Sequence, residues 1–183
     1  MNELSGHLLL AMPGIGDSRF ENTVIAMCEH SEDGALGIDI GHVHTGIRLH
    51  DIYDQVEIDP GAAPDCDVYI GGPVETGRGF FLHTPDWQGD GTIAVGDWGA
   101  LSTSQAILHA IAEGQGPRRW LIALGYAGWG PHQLDGEMQR NGWYPAKANE
   151  TLVFDTPAAE RWTACWRAEG IDPSLLSASG GTA

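Results

Sequence analysis

The sequence has almost no lysine. Lys147 is the only one in 183 residues, and Lys plus Arg number 9 against 25 Asp plus Glu, a formal net charge of −16. A sequence-independent grip on nucleic acid needs several cations neutralising phosphates, and the few present are scattered along the chain. No direct nucleic-acid binding is expected, and an anionic membrane surface is disfavoured for the same reason. The acidity itself reads as solubility and self-repulsion. Cysteine is also scarce. Cys28, Cys66 and Cys165 are odd in number and form no C-x-x-C, which fits reduced thiols in a cytoplasm better than a disulfide framework. The opening MNELSGHLLLAMPGIG has no basic segment, and its apolar run is far too short to span a bilayer. It reads as a mature cytoplasmic start.

Familiar catalytic and nucleotide signatures are missing as well. There is no G-x-x-x-x-G-K-[ST], no G-x-G-x-x-G opening a helix, no G-x-S-x-G and no paired-carboxylate spacing. What is present is glycine, 26 of 183 residues, about twice the usual ~7%. Hydrophobic residues make up 42% and charged residues 19%, an ordinary globular composition. The length suits one domain, 1–183, with a small polar tail at 177–183 expected to be flexible.

Periodicity and turn signals give alternating elements. Strands are expected at His7 to Ala11, Thr23 to Glu29 and Ala35 to Ile40, the last two joined by a turn at Glu32-Asp33-Gly34. A short helix spans Arg48 to Val56. Further strands are expected at Val68 to Ile70, Gly79 to His83, Thr92 to Val95, Trp120 to Leu124 and Thr151 to Phe154. Ser102 and Gln105 match a capping box for a helix reaching Glu113. Gly125 to Gly130 reads as a glycine-aromatic loop feeding a helix from Pro131 to Asn141. Thr156 and Pro157 open a last long helix, which buries Trp162, Cys165 and Trp166. The fold class is α/β (α+β): one domain, a mixed sheet flanked by about three main helices, with some parallel pairing through right-handed crossovers.

The segments LLLAMPGIGDSRF, MCEHSEDGALG, GGPVETGRGFFLH, ALGYAGWGPHQLDGEMQRNGW and LVFDTP occur in this order and nearly fill the chain. Together they resemble the YqgE/AlgH family of small bacterial proteins over roughly residues 5–176. The resemblance implies a single αβ domain with a mixed sheet and brings no mechanism, because that family has no established activity. Some members carry the name transcriptional regulator, a genetic label. The chain departs from the family pattern at Asn22-Thr23, where members usually carry Arg-Ser, and at Gly41-His42, where they carry Asn-Arg or Asn-Lys. It departs again at Gly181-Thr182-Ala183, where they often end in Gly-His-Ala.

The candidate site residues fall into three groups. Gly71, Gly72 and Arg78 bracket a strand end, where backbone N–H groups and a guanidinium can receive an anion. Tyr126, Gly128, Trp129 and Gln133 read as a pocket wall at a helix N-terminus. Cys28, Glu29 and His30 end a strand, and alternation puts Cys28 and His30 on one face, as a Cys-His pair would need. Each group also has a plainer reading: a tight connection, core aromatics, and a buried structural thiol. The histidines at 42, 44 and 50 are irregularly spaced, and no metal or cofactor is expected. The helices opened at Ser102 and Pro131 are separated by a strand, so they form no helix-turn-helix. The expected function is regulatory, through a protein partner. The alternative is a binding protein or enzyme for a small anionic ligand in a crevice near Gly72, Arg78, Tyr126 and Trp129.

Overall fold

The computed structural model describes residues 4–13, 22–140 and 142–179. Its elements are, in chain order, β1 (Leu8–Ala11), β2 (Val24–Ser31), β3 (Gly34–Asp39), β4 (Val43–Arg48), α1 (Leu49–Gln55), β5 (Asp67–Ile70), β6 (Val74–His83), β7 (Ile93–Val95) and β8 (Gly99–Ser102). Then come α2 (Gln105–Ala112), β9 (Trp120–Trp129), α3 (Gln133–Gln139), β10 (Trp143–Ala146), a π-helical turn (Thr151–Asp155), α4 (Ala158–Ala168) and α5 (Pro173–Ser179). The fold is a mixed α+β domain, with five α-helices among the described residues; about three main helices were expected beside the short one at Arg48 to Val56.

The strands form one curled sheet in the order β10-β1-β2-β3-β9-β6-β8-β7, with β5 beside β9 and β4 beside β5. Pairing is antiparallel except between β5 and β9, where Tyr69 and Ile70 lie beside Ala123 and Leu124. The expected parallel pairing is thus confined to this one pair. β9 is the central element. Its first half pairs with β6, and its second half turns to β3 through Ala127, Gly128 and Trp129.

Both faces of the sheet are buried, and the sequence alternates between them. Leu8, Leu10, Val24, Ala26 and Ile38 face α4 and meet Cys165 and Trp166. Leu9, Ile25 and Met27 face the other way, onto Leu134 of α3. That second face is covered at its far end by α1 and α2, where Leu49, Tyr53, Ile107 and Ile111 pack on Val68, Phe81 and Ile122.

The alternation slips at two points. In β2 a bulge at Cys28 leaves Met27 opposite Gly37 and Glu29 opposite Leu36. In β9, Leu121 and Ala123 face α4, but beyond Gly125 it is Tyr126 that packs on that side. Gly125 has φ +81°, and a Cβ there would stand 2.4 Å from the Gly72 carbonyl oxygen. Only glycine fits a left-handed residue pressed against a neighbouring backbone. A bulge or kink of this kind re-aims every later side chain on its strand.

Several sequence readings are corrected. Residues 125–130 are no loop; as far as Trp129 they continue β9. α3 begins at Gln133, not Pro131, and has seven residues; the expected end at Asn141 lies outside the described residues. Thr151 to Phe154 is a π-helical turn, not a strand. Ser102 is no N-cap; it ends β8, and Ser104 is the N-cap of α2 without a side-chain hydrogen bond. Pro157, not Thr156, caps α4. The last helix runs through Ser179, into the stretch read as a tail.

One buried side chain organises the α4 end of the fold. Arg161 is 1% exposed. Its Nε donates to the Leu152 carbonyl at 2.8 Å, and Nη2 donates to the carbonyls of Val153 at 2.9 Å and Thr156 at 2.6 Å. Nη1 donates to the Ile40 carbonyl and to the Tyr69 hydroxyl. All five guanidinium N–H groups are thereby used. This one fork ties the π-helical turn to the residue after β3 and to β5.

Candidate functional site

The structure separates the residues of the first group. The Gly71 N–H donates to the Leu124 carbonyl at 2.9 Å, so it is spent in the sheet. Gly71 and Gly72 are glycine because β9 crosses them. A Cβ on either would lie 2.1 Å from the backbone of Gly125 or Tyr126. Arg78 stands exposed on β6, with Nη1 3.5 Å from Glu75 Oε2 and Nη2 3.4 Å from Thr103 Oγ1, and its guanidinium lies 5.3 Å from the Phe80 ring centroid. The glycine pair is thus a backbone crossing, and Arg78 is paired with an acid.

Cys28 and His30 do not meet. The bulge puts Cys28 among the residues facing α4 and His30 on the α3 side, where its Nε2 lies 3.2 Å from Asp135 Oδ1. Strand alternation alone had placed them together. Burial, with Glu29 adding to it, pushes the Cys28 thiol far above its ordinary range. A protonated thiol on the wrong face is no nucleophile for this histidine.

The pocket-wall group divides. Trp129 is buried against Leu9, Ile25 and Met27, and its Nε1 donates to Glu137 Oε1 at 3.2 Å. Trp143 Nε1 donates to the same oxygen at 3.0 Å. Gln133 closes the start of α3 by accepting from the Gly130 N–H at 3.0 Å. Seven residues make too short a helix to present the expected anion site. Tyr126 and Gly128 remain on the surface, on the face shared with α4.

There the register brings together a set that crosses four strands. Glu29 of β2 lies opposite Leu36 of β3, and Leu36 opposite Gly128 of β9. Tyr126 lies opposite Val74 of β6, with Phe80 edge-on to its ring at 5.5 Å. Apart from Phe80, these residues, with Ser31, Asp33, Gly34, Ala35 and the margin of Trp129, line an open groove of about 420 Å³. The groove carries two carboxylates and no cation. Val74 is 37% exposed. The outer faces of Val74 and Tyr126 are the part of this sheet face that α4 leaves bare. The bulge at Cys28 turns Glu29 toward it, and no sequence signal marks that bulge.

A buried polar chain went unread in the sequence. His83 and Ser102 are both fully buried. His83 Nδ1 is 2.7 Å from the Thr84 carbonyl, so it carries the proton, and Nε2 accepts from the Ser102 hydroxyl at 2.8 Å. Thr92 Oγ1 is 2.7 Å from Ser102 Oγ and accepts from the Gly89 N–H at 3.0 Å. Burial lowers the His83 pKa. The serine-histidine contact has the distances of a catalytic pair, but Trp87 packs edge-on against His83 at 5.8 Å and neither group reaches solvent. The chain is a strut that fastens residues 84–92 to β6 and β8. Among the described residues, no group of three or more His, Cys, Asp or Glu is placed to hold a metal ion. His44 lies in β4. No described helix is long and apolar enough to cross a membrane.

Comparison with known proteins supplies context. A family model described as AlgH-like matches residues 8–174. A UPF0301 protein of Novosphingobium aromaticivorans is 58% identical over 180 residues, covering 98% of this chain and 97% of that protein. A UPF0301 protein of Rhizorhabdus wittichii is 56% identical over 180 residues, covering 98% and 97%. The solution structure of the AlgH protein from Pseudomonas aeruginosa superposes with a TM-score of 0.81 at 40% identity, covering 98% of this chain and 96% of that one.

Proposed function

This chain belongs to the AlgH-like family, and from that premise we propose that it is a cytoplasmic regulatory protein working through contacts with a protein partner, without binding DNA directly. The observation that carries the reading is the bare end of the sheet face. Three large apolar side chains are exposed among the described residues, Ile70, Val74 and Leu175, and Val74 lines the groove. Apolar surface of this kind next to a polar rim suits a docking area. The charge of −16 opposes a phosphate backbone, and neither α2 nor α3 contains a Lys or Arg. Three free cysteines are compatible with a reducing compartment.

The alternative, a small anionic ligand or an enzyme using Gly72, Arg78, Tyr126 and Trp129, has less behind it. Arg78 and Gln133 do not line the groove, while Glu29 and Asp33 do. An anion would meet two carboxylates there.

The test is photo-crosslinking in the native host from a reactive residue placed at Val74, with position Glu113 at the C-cap of α2 as control. A discrete adduct from Val74 alone supports the reading. No adduct from Val74, or a salt-resistant, sequence-selective complex of the purified chain with duplex DNA, overturns it.

A further inference from the structure

We infer that the groove takes a cationic side chain, arginine or lysine, from an apolar segment of the partner; this rests on the docking role proposed above. The argument is from shape and charge together. Gly128 lies between Leu36 on β3 and Tyr126 on its own strand, so the floor has a gap where every other residue type would place a side chain. The gap is not forced by the fold. Gly128 does not have a positive φ, and a Cβ there would meet only the edge of the Tyr126 ring, at 3.2 Å. This contrasts with Gly71, Gly72 and Gly125, which backbone contact requires.

The gap has apolar walls, Leu36, Val74 and Tyr126, and an acidic end, Glu29 and Asp33. No Lys or Arg lines it, and neither carboxylate forms an ion pair with a described residue. A long aliphatic stem ending in a cation matches that order of surfaces. The stem covers Gly128 against the tyrosine ring, and the head reaches the carboxylates and the ring face. Apolar residues flanking it on the partner would cover Val74. A free metal ion or a polyamine would satisfy the acids and leave the apolar walls wet.

The experiment uses the full chain and a fluorescein-labelled peptide in which arginine alternates with leucine, read by fluorescence polarisation. Its counterpart with glutamate in place of arginine is the negative probe. Glu29→Gln with Asp33→Asn is expected to weaken binding at least tenfold, and Gly128→Val to do the same by filling the gap. Glu57→Gln with Asp59→Asn removes equal charge from a different groove, beside α1 and α2, and is expected to change binding less than twofold. Circular dichroism and a urea midpoint establish that each variant is folded; if Gly128→Val is not, Gly128→Ala and the Glu29/Asp33 pair still decide. Equal weakening by both charge-removing pairs would show a response to net charge alone and overturn the inference. So would unchanged binding in the filled-gap variant, or no binding of the parent below ~1 mM. If the peptide fails while the Val74 adduct persists in cells, the cationic partner is wrong and the docking face stands. If both fail, both readings fall.

Discussion

A Cβ on Gly125 would stand 2.4 Å from the carbonyl oxygen of Gly72 and 3.1 Å from that of Val74. The contact occurs where β9 leaves β6 and turns toward β3, and where its alternation slips. Gly125→Ala should therefore lose more than the ~1–2 kcal/mol of a left-handed alanine. Gly114, at φ +75° with open space around it, supplies the reference, since Gly114→Ala bears only the conformational cost. Urea denaturation of the two variants compares them, and equal losses would mean that the crossing is loose.

The three thiols should react in a fixed order. Cys28 and Cys165 are buried, and burial pushes the Cys165 thiol up to about 11 despite Arg161 nearby. Cys66 is only half-buried, though desolvation raises it too. Native protein should titrate one thiol slowly, at Cys66, and three after unfolding. Rapid native labelling at Cys28 would reopen the question of its chemistry.

Acid should weaken the protein through His83. Burial holds its folded pKa below 6.5, so the unfolded chain takes up the proton first. Stability is full above the unfolded value and falls as pH drops from about 6.5 toward the lower folded value. The effect of Asp86 lies in a separate window. Burial alone would raise its pKa, but hydrogen bonds from the Thr84 side chain and the Arg118 N–H outweigh that and lower it below 3.8. Its contribution is lost only in stronger acid. Urea midpoints between pH 7.5 and 5 should fall for the parent and stay flatter for His83→Gln; identical slopes would refute the assignment.

Trp129→Ala should cost about 3–5 kcal/mol, the loss typical of a buried indole. The ring fills the space between β2 and α3, and its departure also leaves Glu137 with one indole donor in place of two. Chemical denaturation measures this. A near-native variant would return Trp129 to the pocket wall read from the sequence.

The long apolar runs declared themselves. β1, β2 and β3, the hairpin between the last two, and the amphipathic spacing of α2 and α4 follow from periodicity and turn residues. The losses have physical reasons. β8 and β10 each carry a residue that weakens a strand pattern, Gly99 and Pro145. Ser102 mimicked a cap because Ser-x-x-Gln has the right spacing by chance. Thr151-Leu152-Val153-Phe154 has strong strand propensity, but tertiary packing on Arg161 wins. Arg161 itself stands between Glu160 and Trp162 with nothing to mark it as buried. The candidate site was half legible. Tyr126, Gly128 and Glu29 do converge, but only because of a bulge and a glycine kink that composition cannot reveal. Arg78 and Gln133 were drawn in by their chemistry and lie elsewhere.

The position of β9 also bears on synthesis. This strand is the shared neighbour of β3, β5 and β6, yet it lies at residues 120–129. While the ribosome is still making α2, the strands from β1 to β8 lack the partner that joins them. Their edges, including the apolar Phe80-Phe81-Leu82, wait for a segment two-thirds of the way along the chain. Closure of the sheet therefore cannot precede synthesis of β9, and until then the apolar edges favour association between nascent chains while their negative charge opposes it.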